Sequence, residues 1–127
     1  LFSADLVVPG STVVIPASRG GSLVQYLASL RRVLALAPQR LLPAHGQAID
    51  HPEAVLKQYL DHRQRREDQI VAALRAGDRR KETIVDRIYE GLDPSLRRMA
   101  QESVLAHLVK LQEEGRARSD ADEWGLT

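Results

Sequence analysis

At 127 residues and 43% apolar content, the chain can bury one modest core, or at most one and a half small ones. Charged residues make up 28%, which argues against a disordered chain, and the absence of cysteine excludes disulfides and thiolate metal sites and fits a reducing, cytoplasmic compartment. No apolar run approaches the roughly 20 residues of a membrane span, and no basic-then-apolar leader opens the chain.

The net charge of +1 hides a gradient: residues 1–50 carry +2, residues 51–81 carry +3 and residues 82–127 carry −4. A nucleic-acid reader concentrates positive charge on its recognition element. Here the last third is acidic.

Residues 1–8 (LFSADLVV) form an apolar run interrupted by Asp5 and stop at Pro9-Gly10; residues 11–15 (STVVI) are β-branched and stop at Pro16. Two short strands joined by a Pro-Gly turn are expected. A chain that opens at Leu1, already inside a strand-like run, reads as a piece of something longer. After the loop Ser18-Arg19-Gly20-Gly21, with Ser22 as N-cap, apolar residues fall at 23, 24, 27, 30, 33, 34 and 37. That spacing predicts an amphipathic helix, stopped by Pro38. Arg40-Leu41-Leu42 reads as a short buried strand closed by Pro43-Ala44-His45-Gly46, so the first fifty residues give ββαβ.

Asp50-His51-Pro52-Glu53 has the chemistry of a helix start, and the helix is expected to run to Ala76 with Gly77 as its stop. Its apolar residues cluster at 55, 56, 59 and 60 and again at 70, 71 and 74, around nine consecutive polar residues, DHRQRREDQ. A helix that is apolar at both ends and polar all round in the middle bridges two packed bodies. The expected domains are residues 1–60 and 61–127. A helix over 81–90 ends at Gly91. A longer one follows the cap Asp93-Pro94-Ser95, with Leu96, Met99, Ala100, Val104, Leu108 and Leu111 on one stripe. Residues 116–126, centred on Asp120-Ala121-Asp122, supply a two-stranded wing. Helix, helix, helix, hairpin is the order of a winged-helix module.

Two residues stand out chemically. Asp5 is a lone carboxylate in an apolar strand, where an ionised group is costly unless paired or metal-bound. His45 follows a short strand in a Pro/Gly-flanked loop, the kind of place where α/β folds put catalytic groups. A carboxylate and an imidazole are both zinc-type ligands. A turn-capping aspartate and a surface-loop histidine fit the same spacing, which leaves both readings open.

LFSADLV, STVVI and LLPAHG, in that order, resemble the final motifs of the metallo-β-lactamase fold. Tyr59, HRQRREDQI (62–70) and MAQESVLAHLVKLQEEGR (99–116) resemble the C-terminal extension of the β-lactamase-like protein 2 group, whose members include a mitochondrial endoribonuclease. The resemblance implies an α+β architecture: the C-terminal ββαβ part of an αββα sandwich, joined by a long helix to a winged-helix-like module. It implies that Asp5 bridges two zinc ions and that His45 binds the second, for metal-assisted hydrolysis of an RNA phosphodiester or a thioester. Ala4 and Ala44 stand where glycine is common, and Leu6 where a histidine often follows the aspartate. The HxHxDH motif and the next histidine ligand are absent from residues 1–127, and His51, His62 and His107 do not replace them. Two ligands do not hold a catalytic zinc, so this chain alone is expected to be inactive and not to retain zinc.

The expected partners are therefore an N-terminal half of the catalytic domain and, through the unpaired strand edge of residues 1–15, a second copy of the chain. Nucleic acid is the candidate substrate, and Arg63, Arg65 and Arg66 are candidates to steer its phosphates. A solvated helix face is the competing reading of those arginines. The competing reading of the whole chain is a stand-alone winged-helix module that binds nucleic acid or protein. Trp124, the only tryptophan, is expected to dock the tail on the module core; a stacking platform for a base is the alternative.

Overall fold

The computed structural model describes residues 2–4, 17–19, 21–36, 42–43 and 52–127. Their elements are, in order, β1 (Phe2–Ala4), a 3-10 turn (Ala17–Arg19), α1 (Leu23–Ala35), β2 (Leu42–Pro43), α2 (Pro52–Arg75) and α3 (Lys81–Ile88). A second 3-10 turn (Pro94–Leu96), α4 (Arg97–Glu113), β3 (Ala117–Asp120) and β4 (Glu123–Leu126) complete them. The architecture is α+β. The strand expected over 11–15 lies outside the described residues.

The chain divides into two compact units, one of Leu1–Val13 with Val24–Gln64 and one of Val14–Leu23 with Arg65–Thr127. The division falls inside α2. In the first unit β1 and β2 pair in parallel, with α1 in the connection between them. Parallel neighbours need a crossover of a dozen or more residues, and the 13-residue α1 supplies it. Leu27 and Leu30 of α1 and Leu56 of α2 are buried in this unit.

In the second unit α2 contributes Ile70, Val71, Ala73 and Leu74 to a continuous core. Ile84 and Val85 of α3, four residues of α4 and Ala117 of β3 complete it, while Trp124 and Leu126 of β4 close it from the wing. Trp124 thus docks the tail, as its apolar body favours. The α4 stripe is narrower than its spacing suggests. Ala100, Val104, Leu108 and Leu111 are buried, whereas Leu96 and Met99 remain 46% and 48% exposed. Leu96 closes a 3-10 turn in which Asp93 accepts a hydrogen bond from the Ser95 N–H, so α4 begins only at Arg97, while Met99 stands one residue, about 100°, off the stripe of Ala100 in the helix itself.

Two helix ends are set by glycine. Past α2, Gly77 (φ 102) donates to the Leu74 carbonyl and Asp78 to Ala73; past α4, Gly115 (φ 74) donates to Gln112 and Arg116 to Leu111. Both are Schellman stops, in which the left-handed residue lets the chain satisfy the last carbonyls. Beyond the second stop, β3 and β4 pair antiparallel from Ala117↔Leu126 to Asp120↔Glu123. Their tight turn holds Ala121 at φ 55. Helix, helix, helix and wing over residues 65–127 make a winged helix.

Candidate functional site

Asp5 and His45 lie outside the described residues. What is described is the strand pair that precedes each of them in the chain. Phe2 pairs with Leu42 and Ala4 with Pro43, a parallel register with one irregularity, so the C-terminal residues of β1 and β2 lie at the same end of the pair. Among the described residues no group of three or more His, Cys, Asp or Glu side chains is placed to hold a metal. His107 is fully buried in α4, and its Nδ1–H donates to the Ser103 carbonyl at 2.9 Å, which makes it a core residue.

The polar middle of α2 is not solvated all round. Leu56, Arg63, Glu67, Ile70 and Leu74 fall on one helical stripe, and all five are buried. Stripe position, not residue type, decides which of the nine polar residues leaves water. Arg63, 3% exposed, lies over the Tyr26 ring at 5.6 Å from its centre, within the first unit. Burial pushes the Tyr26 hydroxyl up to about 12, against a smaller opposing pull from the Arg63 charge. Arg66, half-buried in the second unit, lies 4.2 Å from the centre of the Tyr89 ring and donates to Gln69 Oε1 at 2.8 Å. Arg65 is exposed. Of the three arginines it alone fully faces solvent, because Arg63 and Arg66 are turned onto tyrosine rings.

Glu67 accepts from Lys110 Nζ of α4 at 2.5 Å and from Arg116 at 3.4 Å, and Lys110 also bridges Glu114 at 3.1 Å. With Glu67 and Lys110 side chains only 5% and 11% exposed, this cluster locks α2 to α4 next to the aliphatic core. The first half of α4 is also occupied. The Glu102 carboxylate accepts from both the backbone N–H and the hydroxyl of Ser18, and its pKa is lowered chiefly by that hydroxyl. Arg97 is bound to Asp86 at 2.6 Å.

A groove of about 640 Å³ lies in the second unit between the end of α2 and the wing. Leu74 and Trp124 form its apolar part, Arg79 and Arg118 supply two guanidinium groups, and Asp120 and Glu123 two carboxylates. The Trp124 backbone N–H donates to the Arg79 carbonyl at 2.7 Å, which fixes the wing against the turn after α2. Sequence spacing does not reveal the groove, since its two arginines are 39 positions apart. The tryptophan is the one signal visible in the chain. Tyr26 and Lys110 are equally hidden there, because each acts through a partner on another helix.

The profile of the Beta-lactamase associated winged helix domain matches residues 81–124. Over 97% of its length the chain is 33% identical to the Beta-lactamase-like protein 2 homolog of Drosophila melanogaster, of which it spans 42%. Over 68% of its length it is 32% identical to an Atrochrysone carboxyl ACP thioesterase of Aspergillus fumigatus, of which it spans 26%. A metallo-beta-lactamase family protein from Thermus thermophilus superposes on 99% of the chain with a TM-score of 0.79 at 19% identity, the match covering 41% of that protein. No helix among the described residues is long and apolar enough to cross a membrane. The chain is thus a metallo-β-lactamase-fold segment, similar to the C-terminal portion of the β-lactamase-like protein 2 group and carrying its associated winged-helix domain.

Proposed function

We propose that the chain supplies Asp5 and His45 to the zinc centre of a metal-dependent hydrolase whose remaining ligands come from a segment carrying HxHxDH. The parallel register of β1 with β2 carries this reading. Asp5 directly follows Ala4, and His45 follows Pro43 by two residues, while Ala4 and Pro43 are register partners. Neighbouring strands stand about 4.8 Å apart and each further residue adds at most about 3.5 Å, so covalent connectivity allows both donors to reach a shared centre. A carboxylate and an imidazole suit zinc. When bound, the metal supplies Lewis acidity and a nucleophile at neutral pH. Asp5 would hold both ions and His45 the second.

The proposed substrate is an RNA phosphodiester or a thioester; the thioesterase name of the Aspergillus relative supports the second. Of Arg63, Arg65 and Arg66, Arg65 is the exposed one left to attract a phosphate. Sequence-specific DNA reading by α4 has less support, because Glu102 and Ser18 occupy one face and Arg97 is committed to Asp86. Pairing along residues 1–15, with the complementary segment or with a second copy, belongs to the same proposal.

The test is metal content. The 127-residue chain alone should hold well under one zinc by elemental analysis. A polypeptide joining it to the HxHxDH segment should hold two and hydrolyse an oligoribonucleotide or an acyl thioester. In that polypeptide Asp5→Ala and His45→Ala should each lower bound zinc and abolish turnover. Stoichiometric zinc in the short chain, or full zinc in both variants, would refute the assignment.

A further inference from the structure

We infer that the start of α4, where Leu96 and Met99 lie exposed, is a surface on which the segment carrying HxHxDH docks. The inference rests on the hydrolase reading for the identity of that segment, and on the burial pattern of α4 for the surface.

Two sides of α4 are distinguished by burial. Ala100, Val104, Leu108 and Leu111 form the core side. About 100° away, Met99, Ser103, Ala106 and Lys110 share a second side. Its C-terminal half is covered as well: Ala106 is buried, and the Lys110 side chain is held by Glu67 of α2. Toward the start of the helix the cover ends. Glu102, at the flank of this side, still receives the turn Ala17–Arg19 through Ser18. Met99, and Leu96 at the N-cap three residues before it, are half-exposed. Among the described residues of the second unit, these two are the large apolar side chains left exposed.

Single exposed apolar residues are ordinary on a protein surface. A pair that prolongs an already buried side marks an interface with its partner removed. Methionine adapts to the shape of a partner, and the exposed Arg98 beside Met99 supplies the kind of rim usual in such contacts. In the Drosophila and Thermus relatives more than half of the protein lies outside the matched part, a body large enough to cover this face. The turn already seated on Glu102 comes from the part of the chain ahead of the winged helix. The rest of the catalytic fold is therefore favoured as occupant over a second copy.

Met99 is the only methionine of the 127 residues, so its oxidation by dilute hydrogen peroxide reads the face directly. The rate is followed by mass on the tryptic peptide 99–110, in the short chain and in the polypeptide joining it to the HxHxDH segment. Oxidation about tenfold slower in the joined polypeptide is expected. Equal rates would overturn the inference. Oxidation of the short chain that slows as its own concentration rises would overturn it too, by assigning the face to a second copy. The double variant Leu96→Ser/Met99→Ser should keep the unfolding midpoint of the short chain and lower that of the joined polypeptide by several degrees. An unchanged midpoint in the joined polypeptide would count against docking. A joined polypeptide that holds two zinc ions but leaves Met99 reactive sinks the docking alone. One that protects Met99 but holds no zinc sinks the hydrolase reading alone.

Discussion

The two ends of α2 hold their units by different means. In the second unit the helix buries Ile70, Val71, Ala73 and Leu74 in an aliphatic core. In the first it buries Leu56, then closes the same stripe with Arg63 over Tyr26. Aliphatic burial is nondirectional and scales with area, whereas a guanidinium must meet a ring face to gain anything. The aliphatic end therefore supplies most of the stability, and the Arg63 and Glu67 contacts fix which neighbour meets which turn of the helix. Removing those contacts should cost less stability than hollowing the core does.

Replacing Ile70 by Ala is the largest expected break, because a fully buried aliphatic leaves a cavity as well as losing its transfer energy. A loss of about 4 kcal/mol is expected, read as a fall in the urea midpoint at unchanged slope. Glu67→Ala should follow at about 3 kcal/mol, since it strips Lys110 of its buried partner and leaves only Glu114 to hold that charge. A loss below about 1 kcal/mol, the range of exposed pairs, would mean that the cluster is solvated and does not lock α2 to α4.

Arg63→Ala should cost about 2 kcal/mol, through the lost cation–π contact and the lost stem packing. Arg63→Lys should restore only part of it, as an ammonium keeps the cation–π attraction but lacks the planar stacking of a guanidinium. The burial of the Tyr26 hydroxyl has an alkaline signature. The folded Tyr26 hydroxyl titrates at about 12, above its ordinary 10.0, and burial is the main cause. Folding therefore favours the protonated form, so this contribution is complete below pH 10 and is lost as pH rises through 12. Tyr26→Phe should flatten the fall in thermal midpoint over that window. An unchanged alkaline fall would show that Tyr26 is not the group responsible.

The smallest change has the opposite sign. Ala121 sits at φ 55 in the wing turn, where a Cβ is strained, so Ala121→Gly should stabilise the second unit by about 0.5 kcal/mol. A fall in the unfolding midpoint would refute this.

Much of the winged helix is legible in the chain. Gly77 and Gly115 mark helix stops because the left-handed region closes those carbonyls, and Asp93-Pro94-Ser95 marks a start because the carboxylate caps an N–H. The long α2 and the wing follow from periodicity and from the turn at 120–122. Leu96 misleads because it belongs to a 3-10 turn ahead of α4, and Met99 because it stands one residue off the stripe that Ala100, Val104, Leu108 and Leu111 form. Arg63 and Glu67 mislead more deeply, as polar residues on a core stripe are indistinguishable in sequence from a solvated band.

The order of residues by itself determined the four helices, the glycine stops of α2 and α4 and the wing, since these depend on neighbours close along the chain. Only the tertiary structure decided that β1 and β2 are parallel, that Tyr26 receives Arg63, and that Arg79 and Arg118 share a groove with Trp124. Tyr26 and Arg63 stand 37 positions apart in the chain, and Arg79 and Trp124 stand 45 apart. Such pairs are selected by burial and charge when the chain closes on itself, which local spacing does not encode.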